Sequence, residues 1–238
     1  MEKYEKKEYS SFNEFFTRKL KKNKVNLSKN VFISPCDSKL LALKLDDKQN
    51  NVTLKRCKWC NLKNPKYIEY HDNEWCRPNF DDRYLYEMLI LESFQAGLSW
   101  ECVLNKRENF RKAYEGFELE KVCAFDDKKI NELLNDKGII RNKLKINASI
   151  NNSRIFRTIV DEYGTFYEYL KSFAGDKIIY ETDKTTNDLS DAISNDLKKR
   201  GMKFVGSTII YSYLQAIGMI YSHDKGCYLY RDEQTGNL

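Results

Sequence analysis

Leu197-Lys198-Lys199-Arg200-Gly201-Met202-Lys203-Phe204-Val205-Gly206-Ser207-Thr208 reads as a basic helix end, a glycine-bounded turn and the start of a second helix. Upstream, Ser190-Asp191 opens a helix that runs to Arg200; downstream, Ser207 to Ile220 is predicted as one apolar helix. Backbone amides in such a turn, and at the next helix N-terminus, can hold a phosphate without reading a base. Lys203, Gly206, Ser207 and Thr208 are the candidate contacts. Lys198, Lys199 and Arg200 add positive charge, although basic residues in a last helical turn also simply suit the dipole. A second basic cluster, Arg141, Lys143 and Lys145, reads as a solvated face.

Working outward, helical patterning dominates from Cys57 onward. Arg83 to Ala96 is predicted as a strong helix, and Leu119 to Leu134 as one or two short ones with Asp126-Asp127 at an N-cap. Asn142 to Tyr163 and Thr165 to Phe173 continue the pattern. The expectation is an all-α domain of packed helices. Residues 1–50 differ: they are rich in Lys and Asn, with strand-like runs at Val31 to Ile33 and Lys39 to Leu45, then a polar linker. The expected division is an extension over 1–50 and the main domain over 51–238.

The net charge of +6 suggests an anionic partner, but its distribution does not. Residues 1–56 hold 14 Lys and Arg against 7 Asp and Glu, whereas the remainder holds 27 against 28. Polyanion binding by the main domain therefore has to come from local clusters and backbone amides. No apolar run approaches the roughly 18 residues of a membrane span, and the N-terminus lacks an apolar signal core. The expected location is the cytoplasm, with no membrane partner for the main domain.

The chain has 7 Cys, which cannot all pair internally, and only two histidines, His71 and His223. Cys57, His71, His223 and Cys227 form a two-Cys, two-His set, and His223 and Cys227 are four apart, so one helical turn would aim both the same way. Borderline-soft zinc takes thiolate and imidazole in a tetrahedral shell, and four protein ligands leave no place for water. Such a site would be structural. Cys57-Lys58-Trp59-Cys60 is also a CxxC, which keeps Cys60 open as a competing ligand.

With Glu87 set at zero on a helical wheel, Glu92 falls near 140°, between Met88 and Leu85. Glu92 is thus expected among core-facing residues and Glu87 on the exposed side. An unpaired buried carboxylate is expensive, so Glu92 either has a partner or meets a ligand. Gln95-Ala96-Gly97-Leu98-Ser99-Trp100 ends that helix and presents a Trp. Tyr67 to Trp75 is dense in rings. Aromatics around a carboxylate suit a flat cation; Trp100 and Tyr70 are favoured for such a pocket, while Trp75 and Tyr67 read more readily as core.

These pieces together resemble the DNA-3-methyladenine glycosylase I family. The matching stretches are Arg56 to Trp59, Tyr67 to Trp75, Leu91-Glu92 with Gln95 to Trp100, Lys106 to Asn109, Gly138 to Arg141, Lys198 to Gly206, and His223-x3-Cys227. The resemblance covers about three quarters of the chain. It implies a helix-hairpin-helix fold with one structural zinc on Cys57, His71, His223 and Cys227. It implies Glu92, Tyr70 and Trp100 around a flipped base, with Trp59, Tyr67 and Leu98 as further pocket residues and Glu92 favouring the base's positive charge. The implied partner is alkylated double-stranded DNA, and the implied reaction is excision of 3-methyladenine by a monomer. Cys60 and Cys76 depart from the family pattern. Positions 207–210 are Ser, Thr, Ile and Ile, so a lyase lysine is missing there.

The first segment resembles part of another family. Tyr9 to Leu20 and Ile33 to Lys39 are similar to the N-terminal part of a phosphatidylserine decarboxylase. Most of such an enzyme is missing, and residues 1–50 are expected to have no decarboxylase activity. Val205-Gly206-Ser207-Thr208 mimics that family's self-cleavage motif but falls inside the glycosylase match. A zinc-stapled DNA-binding module without catalysis is the remaining alternative.

Overall fold

The computed structural model describes residues 31–33, 42–44 and 54–233. The chain divides into two units after Lys55. In the first, β1 (Val31–Ile33) pairs antiparallel with β2 (Ala42–Lys44). The Tyr9 to Leu20 stretch lies outside the described residues.

The second unit carries ten α-helices among the described residues. They are α1 (Pro65–Asn73), α2 (Asp82–Gln95), α3 (Trp100–Leu104), α4 (Arg107–Ala113), α5 (Leu119–Cys123), α6 (Asp127–Asn135), α7 (Lys143–Tyr163), α8 (Phe166–Ala174), α9 (Asp188–Lys199) and α10 (Ser207–Ala216). A two-residue parallel pair, β3 (Ile179–Tyr180) with β4 (Ile220–Tyr221), interrupts the all-α expectation. No helix among the described residues is long and apolar enough to cross a membrane.

Helix α2 is the central element. The Asp81 carboxylate accepts from the Tyr84 amide at its N-terminus, and every residue from Leu85 to Phe94 is buried. A helix buried all round must satisfy its polar members internally. Glu87, expected on an exposed face, is one of them: its Oε1 accepts from Arg107 Nε at 2.5 Å and from Arg111 Nε at 2.9 Å. The wheel failed here because α4, through Arg107 and Arg111, covers that side with cations. Lys145, read as a solvated cation, is buried as well. Its ammonium donates to the carbonyls of Phe94 (2.7 Å) and Ala96 (2.5 Å), closing the C-terminal end of α2.

Two expected boundaries move. Helix α9 begins at Asp188 rather than Ser190, because Asn187 caps it in a box with the Ser190 hydroxyl. Helix α10 stops at Ala216 instead of reaching Ile220, because Gly218 takes a φ of 79°. A Cβ there would lie 2.3 Å from the backbone of Arg77 and Pro78. The freed residues 220–221 then join β3 rather than the helix. Between α9 and α10 the turn is held from α7, where buried Asn152 donates to the Lys203 carbonyl and accepts from the Lys203 amide.

Candidate active site and metal centre

A cavity of about 340 Å³ opens between α1, α2, α3, α10 and the segment after β4. Trp59, Tyr67, Tyr70, Glu92 and Trp100, all singled out in the sequence, line it. Leu98 does not: it is 43% exposed. Trp75, read as core, lines the cavity although it is largely buried.

Glu92 is 2% exposed, and its Oε2 has no hydrogen-bond partner. Burial pushes its carboxyl well above the usual carboxylate range. Burial thus favours the protonated form of this carboxyl, which donates as well as accepts when neutral. Gln95 Oε1 and Trp100 Nε1 are likewise buried without a partner on the same wall. Tyr70 and Trp100 approach with ring centroids 5.3 Å apart. Burial, and then proximity to Glu92, raises the Tyr70 hydroxyl well above its ordinary value. The aromatic walls and unpaired polar atoms suit a flat heteroaromatic ring with hydrogen-bonding edges.

The aromatic wall runs directly into the second cluster. Trp75 packs edge-on against His223 at 4.7 Å and against Trp59 at the same distance. The four donor atoms of Cys57, His71, His223 and Cys227 lie within 4.8 Å of one another, all buried. Cys57 Sγ is 3.4 Å from His223 Nδ1, and Cys227 Sγ is 3.5 Å from His71 Nε2 and 3.6 Å from His223 Nδ1. Ligands bound to zinc at about 2.0–2.3 Å in a tetrahedron sit about 3.3–3.8 Å apart, so these separations fit the ion.

The two thiols are tightly coupled: contact with Cys227 and burial push Cys57 up, while contact with Cys57 and the two imidazoles pulls Cys227 down, so one of the two readily gives up its proton. His71 Nδ1 faces Asp72 Oδ1 at 2.7 Å, which suits a proton on Nδ1 and leaves Nε2 as the acceptor nitrogen; in this structure Nε2 accepts from the Cys57 amide at 3.2 Å. Burial opposes a charged Asp72, but Arg56 and His71 outweigh it and hold the carboxylate low. Cys60 is not in the group; its Sγ contacts the Tyr67 carbonyl at 3.8 Å.

On the α9–α10 turn, Lys203 and Thr208 are exposed, and Gly206 begins α10 without a side-chain cap, which leaves the first amides open. The Ser207 hydroxyl is taken by Asp191, leaving only its amide for a phosphate. Arg200 does not add free charge as expected: Asp196 and Glu162 bind it at 2.7 and 2.5 Å. Lys198 and Lys199 are exposed, as are Arg141 and Lys143. Sequence reasoning missed Gln95, Asp183, Lys184, Ser212, Gln215 and Ser222 on the cavity wall. Ser212 and Gln215 have a signal, since their spacing of three puts them on one face of α10. Asp183 and Lys184 have none.

The methyladenine glycosylase family matches residues 59–230. DNA-3-methyladenine glycosylase 1 of Escherichia coli is 42% identical over 183 residues, covering 74% of this chain and 97% of that one. A crystal structure of 3-methyladenine DNA glycosylase I superposes with a TM-score of 0.71 at 40% identity, over 74% of this chain and 100% of the other. The Staphylococcus aureus enzyme, whose structure describes 3-methyladenine recognition, gives 0.68 at 32% identity, over 72% and 95%. Separately, 49 residues are 53% identical to phosphatidylserine decarboxylase proenzyme 2 of Clostridium acetobutylicum, covering 20% of this chain and only 17% of that protein. The cavity, its buried carboxyl and the extent of these matches lead to one conclusion: the chain is an enzyme of the methyladenine glycosylase family.

Proposed function

We propose that the chain is a DNA repair glycosylase that hydrolyses the N-glycosidic bond of 3-methyladenine in alkylated duplex DNA, without lyase activity. The observation that carries this reading is Glu92, buried with an unpartnered oxygen in an aromatic cavity that also holds Tyr70 and Trp100. The lesion is extruded from the stack, at a cost of a few kcal/mol that is least for a damaged base. Its ring stacks on Trp100 and Tyr70, while Glu92 hydrogen-bonds its edge. Methylation at N3 already makes the base a good leaving group, so selection matters more than strong acid catalysis. Lys203 and the amides of Gly206, Ser207 and Thr208, on a helix-hairpin-helix, hold the DNA backbone without sequence preference.

Cys57, His71, His223 and Cys227 would hold one zinc ion, whose four-ligand shell supplies stability rather than chemistry. The experiment is release of free 3-methyladenine from methylated duplex DNA, comparing wild type with Glu92→Gln. Release by wild type and a large loss in the variant is the expected result. No release by folded, zinc-loaded wild type would leave only a DNA-binding module.

A further inference from the structure

We propose that Lys184 is the residue that receives the phosphate of the extruded nucleotide at the cavity mouth, an inference that rests on the function proposed above. The described lining holds three carboxyl groups, Glu92, Asp183 and Asp224, and a single cation, Lys184. A base that enters to meet Glu92 leaves its sugar and phosphate at the opening. An uncompensated phosphate beside Asp183 and Asp224 would be repelled there. Lys184 is the one lining group that can offset that charge.

The loop is built to present this side chain. Glu181 is anchored to the sheet, its amide donating to the Tyr221 carbonyl at 3.1 Å. Its carboxylate accepts from Asn187 Nδ2 at 2.6 Å, tying the loop to the start of α9. Asp183, just before Lys184, takes a left-handed φ of 62°, and both residues line the cavity. Lys184 Nζ rests 2.7 Å from Glu181 Oε2 while its side chain stays 54% exposed. Lys184 is the exposed member of the pair, whereas Glu181 is 12% exposed and keeps Asn187 on its other oxygen, so the lysine can turn to a phosphate without leaving that carboxylate bare.

The test compares full-length wild type, Lys184→Gln and Lys184→Arg on methylated duplex DNA at several salt concentrations. Free 3-methyladenine binding is read in parallel by tryptophan quenching. Lys184→Gln is expected to raise KM about 2- to 5-fold at unchanged kcat, the size of one exposed ion contact. Its plot of log kcat/KM against log salt should be shallower by about 0.9, one phosphate's worth of counterion. Lys184→Arg should restore both, and free-base binding should be equal in all three. An unchanged KM and salt slope in Lys184→Gln, or an equal loss of free-base binding, overturns the proposal while wild-type release leaves the parent function standing. No release by wild type overturns both.

Discussion

Replacing Glu92 by Gln should stabilise the protein progressively as pH rises, while impairing base release. Glu92 binds its proton more tightly in the folded protein than in the unfolded chain, where the ordinary value is 4.5. Between the two values the folded state holds more protons than the unfolded state, so stability falls as pH rises through that window. The full slope for one proton is about 1.4 kcal/mol per pH unit. Gln, neutral throughout, lacks that slope. Its amide carries a different cost, about 1–3 kcal/mol if a buried N–H is left unpaired, but that cost does not vary with pH. The diagnostic is therefore the gap between the two proteins rather than its absolute size. Above pH 4.5 the gap should widen in favour of the variant, by up to about 1.4 kcal/mol per pH unit until Glu92 ionises. Each such unit is up to about 3–6 °C in Tm for a domain of this size. Thermal melts of both proteins at pH 5, 6 and 7 measure it. Parallel Tm profiles would refute the upward shift of the buried carboxyl and with it the hydrogen-bonding role assigned to the group.

Metal removal is expected to lower Tm by about 10 °C or more, since a structural zinc site contributes directly to folding; a metal-free preparation melting with the metal-loaded one would exclude the centre. Gly218→Ala combines a left-handed φ with the 2.3 Å approach to residues 77–78 and should cost at least about 1–3 kcal/mol in urea unfolding. Asn152→Ala removes the 2.8 and 2.9 Å bonds that hold Lys203's backbone, so duplex affinity should drop while quenching by free 3-methyladenine persists; equal loss of both would mean the change is global rather than confined to the turn.

The helices were legible where local rules govern them. Asp126, Asn142 and Thr165 each cap the helix that follows, as their side chains allow. The gathering of Cys57, His71, His223 and Cys227 was legible because the chain has only two histidines and the residue types suit zinc; the helical turn expected to align His223 with Cys227 is not formed, and turns and irregular backbone bring them together instead. What escaped was set by distant partners. Glu87 looked solvent-facing because its own helix cannot reveal Arg107 and Arg111. Lys145 looked like surface charge because its acceptors lie 51 and 49 positions away. Leu98 sat next to pocket residues in sequence, yet the positive φ of Gly97 precedes it and the side chain is exposed. Lys184 had no local pattern at all; the pairing of β3 with β4 and the Glu181–Asn187 bond hold its loop at the cavity.

That pairing ends in a segment with an alternating character. Ser222 and Asp224 line the cavity, and His223 between them belongs to the metal cluster. A substitution at 222 or 224 would therefore change the cavity wall, whereas one at 223 would remove a donor from the cluster beneath it. A single inserted or deleted residue would trade the two sides and spoil both at once. The segment is open to substitution on its cavity side and closed to changes in length.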